Sequence, residues 1–316
     1  MKNKHIHHLM EIPAILVVFS AIIAHAAVPF AGGTGEPNNP FQIETVQQLL
    51  AMGKDPNLLD MHFVLNNDID MDPNGPNGQI VINSVIGLYE NPFFGEFDGN
   101  YHVISNLTIQ CENDEGCGFI GLLLDIFRGP YLSKNVSSNS VHADQVAGGF
   151  IGHLNLDTGR ISECCALGEV KANIAGGFAG SAHFSSFPSR SYSLTDCYAA
   201  NRVSGINEPP NLQDANESTL GGFIAELRTS QRSALEKLQY VSSCFWDKDK
   251  TEQSEGIRIS NPPSWALDTS QTGVQEKTTE QMMDPNTFIQ SGWDYDTIWA
   301  QTSGQDYPRL KCLTNH

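Results

Sequence analysis

The sequence has little positive charge and lacks the short motifs of the common catalytic and metal-binding folds. It has 18 lysine and arginine residues against 36 aspartate and glutamate residues, a formal net charge of −18 at pH 7. Nucleic acids and anionic lipids are themselves strongly negative, so this balance argues against both as partners. There is no C-x-x-C, H-E-x-x-H, G-x-S-x-G, phosphate-loop or dinucleotide-binding motif. We therefore expect a protein that is not an enzyme.

Long apolar runs are also absent after the first 26 residues, which have the organisation of a signal peptide. Lys2 and Lys4 precede an apolar run over residues 14–24, and Ala26 closes a small-x-small cleavage site. The run is short for a helix that spans a bilayer. We expect a chain that is secreted or held at the cell surface, with the periplasm as the alternative, and no transmembrane segment after signal cleavage.

The cysteine count is odd, with seven residues, so at least one thiol stays unpaired within a chain. Export permits disulfides. Cys111 and Cys117 bracket a short polar turn, and we expect a disulfide between them. Cys164 and Cys197 occupy equivalent positions in a repeat. Either a disulfide between neighbouring repeats or packing as reduced thiols fits this pair.

Glycine is abundant, with 28 residues, and part of it belongs to a recurring Gly-Phe step. The four copies are residues 118–121, 148–152, 176–180 and 221–225. The segments between them alternate apolar and polar residues and are punctuated by Gly, Asn and Asp, as in strands joined by tight bends. One such unit cannot bury its own apolar face, so we expect the copies to stack.

The repeats predict an all-β fold, a right-handed parallel β-helix with short helical caps at both ends. Stacked strands lie about 4.8 Å apart and place equivalent residues in columns, with the repeat phenylalanines in the core. A short helix is expected over residues 44–53, where Thr45 and Gln48 form a capping-box pattern. The predicted organisation is a signal peptide at 1–26, an N-terminal capping segment at 27–60, a β-solenoid at 61–250 and a C-terminal capping segment at 251–316.

The C-terminal segment has a second capping-box pattern, from Thr278 to Gln281, followed by Trp293, Trp299 and Tyr307. Such aromatic residues either form a small core of their own or present flat surfaces to a sugar. Because they follow directly on a helix signal, we interpret them as the core of a cap.

The interval between the third and fourth Gly-Phe steps is the longest, which indicates an insertion. Residues 185–193 and 207–218 are the candidates for the inserted loop. Loops on solenoids carry variation while the stacked strands carry stability. We therefore expect partner contact in this region, and we expect a chain without residues 182–218 to fold.

The Gly-Phe steps and the strands between them, at residues 163–166 and 196–199, resemble GLUG-motif repeats. These occur in bacterial exported and surface proteins, including adhesins and immunoglobulin A-cleaving metallopeptidases. The flanks resemble the same proteins at residues 41–49, 65–71, 97–109, 244–247, 278–282 and 307–310. The resemblance implies a β-solenoid with an adhesin-like role at the cell surface. It implies no reaction, because the family is defined by its repeats.

Asp68, Asp70 and Asp72 alternate along one predicted strand and form the candidate metal site. Clustered carboxylate oxygens suit calcium, which is the one candidate cofactor. An EF-hand loop would need Gly where Pro73 stands and Glu where Gln79 stands. The competing interpretation is a solvated acidic edge that discourages strand pairing.

Three functions remain open. The leading one is a non-enzymatic surface that binds a cell-surface or extracellular glycan or protein. The second is a polysaccharide lyase or glycoside hydrolase on a β-helix scaffold. Its candidate acids are Glu96, Asp98, Glu163 and Asp196. The third is a carbohydrate-binding module, which would need an exposed indole at Trp246 or Trp265.

Overall fold

Strands dominate the structure, a computed structural model that describes residues 30–76, 78–88, 90–112, 116–124, 130–156, 158–184, 192–206, 218–228, 240–259 and 272–311. Within them the fold is a parallel β-solenoid of about five rungs, a rung being one circuit of the chain around the solenoid axis. This confirms the predicted all-β solenoid. The predicted signal peptide lies outside the described residues. No helix of the described ranges is long and apolar enough to cross a membrane.

The strands are short, and most belong to a repeating circuit. In chain order they are β1 Phe41–Ile43, β2 His62–Leu65, β3 Ile69–Asp70, β4 Ile80–Ile82, β5 Glu96–Asp98, β6 Val103–Cys111, β7 Ile120–Leu124, β8 Tyr131–Ser133, β9 Val136–Ala143, β10 Val146–Gly148, β11 Ile151–Leu156, β12 Gly159–Ser162, β13 Cys165–Lys171, β14 Ile174–Gly176, β15 Ala179–Phe184, β16 Tyr192–Thr195, β17 Tyr198–Ser204, β18 Thr219–Gly221, β19 Ile224–Arg228, β20 Val241–Ser242, β21 Cys244–Asp247, β22 Ile257–Ile259, β23 Val274–Lys277, β24 Trp299–Ala300 and β25 Arg309–Leu310. The described helices are Val46–Met52, Lys248–Thr251, Thr279–Met282 and Pro285–Ile289, with a 3-10 turn at Pro56–Leu58.

Each full rung passes through four parallel sheets. Sheet A has the order β1-β2-β5-β8-β12-β16-β20, and sheet B the order β23-β21-β17-β13-β9-β6-β3, with β4 also paired to β6. Sheet C is β10-β14-β18, and sheet D is β22-β19-β15-β11-β7. Strands β12 to β15 make one complete rung, and equivalent strands of the next rung lie in register beside them.

The phenylalanines of the Gly-Phe steps form the centre of the core, as predicted. Phe119, Phe150, Phe178 and Phe223 are at most 1% exposed. Their ring centroids follow one another at 5.8, 5.4 and 4.8 Å. The glycine before each ring permits this stack: a Cβ at Gly149 would lie 2.3 Å from the carbonyl oxygen of Gly177 on the next rung.

A second column marks the corner between sheets A and B. Lys134, Glu163, Asp196 and Ser243 all have φ between 52° and 56°, a left-handed conformation that turns the chain sharply. The side chain of the residue after each of these points into the core. After the last three it is a cysteine, so Cys164, Cys197 and Cys244 stack in the core as free, fully buried thiols. Of the two arrangements that the sequence left open for Cys164 and Cys197, the structure has reduced packing.

The N-terminal helix is confirmed as Val46–Met52. The Thr45 side chain accepts from the Gln48 backbone N–H, and the Gln48 side chain accepts from the Glu44 N–H at 2.8 Å. Parallel pairing nevertheless runs beyond the predicted solenoid limits of 61 and 250, because β1 already pairs with β2, and β22 and β23 continue sheets D and B. These outer strands lack the Gly-Phe step, so the repeat pattern could not reveal them.

The extra length between Phe178 and Phe223 falls in the two predicted segments, because residues 185–191 separate β15 from β16 and residues 205–218 separate β17 from β18, and both connections are longer than in the rung before. Between the two segments, strands β16 and β17 pair with β12 and β13 as an ordinary part of a rung. Residues 185–191 and 207–217 lie outside the described residues. Deleting residues 182–218 would remove both strands as well as the two segments, so the folding of such a chain stays a prediction that this arrangement does not support.

The C-terminal segment packs against the flank of the solenoid. Five outward residues on neighbouring strands of sheet B, together with five residues of the segment, form one core, which we call the flank core: Val136, Cys165, Tyr198, Ala200, Phe245, Met282, Phe288, Trp293, Trp299 and Leu310. The capping box at Thr278–Gln281 is present. Trp293 and Trp299 are buried, which confirms that they form a small core and offer no flat surface to a sugar.

Candidate functional site

A groove of about 690 Å³ runs along the outer face of sheet B, beside the flank core. Its floor is a column of outward side chains on four neighbouring strands, from β6 to β17. The register places these four in line: Thr108, Ser140, Glu169 and Arg202. The residue after each of the last three is a buried valine, so strand alternation fixes the outward direction of the floor. Successive floor residues are therefore about 4.8 Å apart.

The turn that follows β3 forms one wall of the groove, at Asp72, Pro73 and Asn74. A bulge in β6 makes room for it, since the register shifts between Ser105 and Leu107 and Asn106 adopts φ 56°. The Asn106 side chain donates to Asp70 Oδ1 at 2.9 Å, and this hydrogen bond holds the pKa of Asp70 below its usual range.

The Asp72 carboxylate closes its own turn. Its Oδ1 accepts from the Asn74 backbone N–H at 2.9 Å and from the Asn74 side chain at 3.2 Å. The wall therefore has a defined shape.

Lys250 lines the groove from the helix Lys248–Thr251. The Asp247 side chain begins this helix by accepting from the backbone N–H groups of residues 249 and 250. Just after the helix, the Gln253 side chain donates to the carbonyl oxygen of Val203, the residue after Arg202 in β17. Arg202 and Lys250, the two cations of the groove, therefore lie on β17 and on a helix that this hydrogen bond connects to β17.

Charge is unevenly distributed along the groove. Arg202 and Lys250 are on its β17 side, Glu169 is one strand away from Arg202, and Asp72 lies on the opposite wall. Within the ranges that the structure describes, neither Arg202 nor Lys250 makes an ion pair. A ligand in this groove would meet free positive charge on one side only.

The three aspartates predicted to bind calcium each have a different partner. Asp68 Oδ1 accepts from the Val103 N–H and lies 3.0 Å from His102 Nδ1, whereas Asp70 and Asp72 take the hydrogen bonds described above. Among the described residues no three His, Cys, Asp or Glu side chains are grouped to hold a metal ion. The calcium site stays a prediction that this geometry does not support.

Cys111 and Cys117 form the disulfide that the sequence suggests, with Cα atoms 6.3 Å apart. Gly116, beside it, packs on the ring of His153: a Cβ at Gly116 would lie 2.2 Å from the ring. Burial and, to a smaller extent, the Arg228 charge lower the pKa of His153 to about 4, against the opposing charge of Glu226. The neutral ring is hydrogen-bonded to Ser181 Oγ at 2.5 Å.

The four acids considered for glycan cleavage do not form one cluster, although two of them are neighbours. Glu96 pairs with His62 at 2.7 Å, and Asp98 accepts from the Asn100 N–H in the predicted turn. Glu163 and Asp196 are neighbours at the corner between sheets A and B. None of the four lines the groove.

The predicted sugar platform is not formed by Trp246, which is 2% exposed. It is buried against Gly222, where a Cβ would lie 2.0 Å from the indole. Trp265 lies outside the described residues.

We expect Asp196→Asn to stabilise the protein above pH 6. Burial and the Glu163 charge, opposed by the Arg160 charge, together raise the pKa of Asp196 to about 6. An acid whose folded-state pKa lies above its unfolded value costs stability when ionised, so the gain should be largest above pH 6 and should vanish as the pH falls towards 4. Asn also tolerates the left-handed backbone at this position.

Urea unfolding at pH 8 and pH 4 checks this, with a gain at pH 8 of about 1 kcal/mol, reduced for the solvent that still reaches the carboxyl. Glu163→Gln, which leaves Asp196 ionisable, should give a smaller gain. An equal gain at both pH values would show that charge is not its cause.

Sequence reasoning missed the groove residues, although a signal was present. Val170 and Val203 each lie four residues after the equivalent segments 163–166 and 196–199, and the residues before them, Glu169 and Arg202, must then share one outward column. Lys250 carries no such signal, because it reaches the groove from a helix outside the repeats.

No family model matches the chain, and no curated protein is similar to it. One solved structure is similar over 89% of this chain and 95% of its own length, with 19% identity and a TM-score of 0.47. It is a Bacteroides ovatus protein provisionally assigned as an immunoglobulin A1 protease. A likeness at this level carries no conclusion about function.

Proposed function

We propose that the chain is an exported, non-enzymatic, adhesin-like solenoid that binds an extracellular or cell-surface glycan in the groove on sheet B. The observation that carries the proposal is the polar groove itself. Its volume falls within the roughly 300–1,000 Å³ of small-ligand sites. A short stretch of an oligosaccharide fits this size.

The chemistry of the lining favours a hydroxylated ligand. Thr108 and Ser140 offer hydroxyl groups from the floor, and Asn74 and Asn106 offer amide groups from one side. Hydroxyl and amide groups both donate and accept hydrogen bonds, as sugar hydroxyls do. When the ligand displaces water, its hydroxyl groups therefore replace the hydrogen bonds that these side chains made to water.

A protein partner fits this groove less well. Stable protein interfaces bury roughly 1,200–2,000 Å² and depend on aromatic or arginine anchors at a desolvated centre. Pro73 and Leu107 are the apolar residues of the lining within the described ranges, and no aromatic residue of those ranges lines it. The groove can hold a narrow polar chain better than a protein surface.

The groove also favours binding over cleavage. Glycosidases place two carboxyl groups across one sugar bond. Glu169 is the carboxylate of the floor, whereas Asp72 lies on the wall and already accepts hydrogen bonds from Asn74. The strands that carry the floor are paired with neighbouring strands on both sides, so we expect binding to require little ordering of the protein.

A blocking substitution tests the proposal. The purified protein, Ser140→Trp and Ser204→Trp are compared on a panel of glycans for binding and for release of reducing ends. Ser140→Trp should fill the groove and weaken binding by about tenfold or more. Ser204 is on the same face of β17 but outside the groove lining, so Ser204→Trp should bind normally.

Binding that survives Ser140→Trp would place the glycan elsewhere on the protein. Release of reducing ends from any glycan would overturn the non-enzymatic part of the proposal. No binding to any member of the panel would count against the proposal as a whole.

A further inference from the structure

We propose that the groove selects a glycan residue with a single anionic group, a carboxylate or a sulfate, which Arg202 and Lys250 bind together. This inference rests on the proposed function and names its ligand class. It follows from the position, pairing and surroundings of the two cations.

Both cations are held in place by the fold. Arg202 projects from β17, in the middle of a seven-residue pairing with β13. Lys250 is the third residue of a four-residue helix that Asp247 caps, and the Gln253 side chain hydrogen-bonds the segment after this helix to β17. Two positive groups that enter one groove from separate, linked elements can converge on one anion.

Neither cation of the groove has an acidic partner among the described residues, which is also true of most other described lysine and arginine residues. Four described cations are paired: Lys248 with Glu276, Arg228 with Glu226, Arg258 with Glu255 and Arg309 with Asp306. Arg202 and Lys250 make no ion pair in the described part of the chain. An anionic ligand would supply the missing partner, and a guanidinium can bind a carboxylate or sulfate with two parallel hydrogen bonds.

The two carboxylates of the groove favour a ligand that carries a single negative charge, at the end that contacts Arg202 and Lys250. Glu169 is next to Arg202 in the floor, and Asp72 is on the opposite wall. A polyanion along the groove would be repelled by both carboxylates. The part of the ligand that extends over Ser140 and Thr108 should therefore be neutral and rich in hydroxyl groups.

The experiment compares lactose, sulfated lactose and lactose extended by one sialic acid, with a heparin oligosaccharide as the polyanion. Affinity is measured by calorimetry at low and at physiological salt for the unmodified protein, Arg202→Gln, Lys250→Gln and Lys171→Gln. Lys171 is the matched control, because it lies on the same face of sheet B but does not line the groove. Thermal unfolding verifies that each variant is folded.

We expect the singly charged sugars to bind about tenfold or more tightly than lactose and heparin, as a charge-assisted contact would give. Arg202→Gln and Lys250→Gln should each remove most of this preference, and Lys171→Gln should keep it. Equal binding of lactose and its charged forms, still blocked by Ser140→Trp, would overturn this inference and leave the proposed function standing. A preference that survives both cation variants would overturn it as well. Failure of every glycan to bind would instead overturn the proposed function.

Discussion

Replacing Phe178 by alanine should lower the free energy of unfolding by about 3–5 kcal/mol, the usual cost of deleting a buried ring. Phe178 has no exposed surface. Its ring centroid is 5.4 Å from that of Phe150 and 4.8 Å from that of Phe223, with the latter pair stacked at 7°. The substitution therefore leaves a cavity and also removes ring contacts with both neighbouring rungs.

The loss of both contacts has a consequence that an ordinary core would not show. In a solenoid each repeat is stabilised by its own contacts and by its two neighbours. A weakened rung in the middle can separate the unfolding of the two ends, so Phe178→Ala should broaden the urea transition or divide it in two. Unfolding followed by circular dichroism and by tryptophan fluorescence would then give different midpoints.

Two variants serve as controls for this prediction. Phe178→Leu keeps much of the volume and should cost clearly less than Phe178→Ala. Tyr131→Ala removes an aromatic ring from the outside of sheet A, where Tyr131 is 52% exposed, and should change the free energy of unfolding by about 0.5 kcal/mol or less. If Phe178→Ala behaved like Tyr131→Ala, the phenylalanine column would not be the centre of the core.

The features that sequence analysis predicted correctly are those with a local signal. The Gly-Phe step contains both the inward ring and the glycine that permits stacking, so the phenylalanine column follows from one repeat. Likewise, Thr45 with Gln48 and Thr278 with Gln281 contain the start of a helix within four residues. In each case the signal lies within a few consecutive residues, even where the contacts themselves join neighbouring rungs.

The flank core and the groove were not predicted, because they depend on contacts between distant segments. Tyr198 and Phe245 face outward from sheet B, and alternation alone would assign them to solvent. They are buried only because the C-terminal segment returns to cover them, and the Tyr198 hydroxyl donates to the carbonyl of Pro308 at 2.7 Å. The Thr279 hydroxyl of the same segment also donates to Asp247, which begins the helix that carries Lys250.

The inward column directly behind the groove floor also departs from the expected pattern. Alternation predicts apolar residues there, as at Leu107, but the next rungs have Asn139 and, further on, Asn201. Asn201 is fully buried, and neither of its amide atoms has a hydrogen-bond partner among the described residues. Residues that break strand alternation and lower stability are expected near functional sites. The position of Asn201 behind the groove floor agrees with the proposed function.

Replacing Asp247 by alanine should release the C-terminal segment from the solenoid. The carboxylate is fully buried and accepts from the backbone at residues 249 and 250, from the Thr279 hydroxyl at 2.8 Å and from the Tyr307 hydroxyl at 2.6 Å. Burial and the nearby carboxylate raise the pKa of Tyr307, so this hydroxyl remains a donor. Alanine would leave several buried donors unsatisfied, at a cost of about 3–5 kcal/mol.

The effect should extend to the groove, since Asp247 also begins the helix that carries Lys250. We expect Asp247→Ala to expose Trp293 and Trp299, which a red-shifted fluorescence spectrum and faster proteolysis of the C-terminal segment would report. Glycan affinity should fall at least as far as in Lys250→Gln.

Asp249→Asn is the matched control, because this exposed neighbour makes one comparable contact, with the Thr279 N–H. It should change the fluorescence spectrum and the glycan affinity little. If Asp247→Ala released the segment but left glycan affinity intact, the helix Lys248–Thr251 would not be a wall of the binding site, and the role assigned to Lys250 would be wrong.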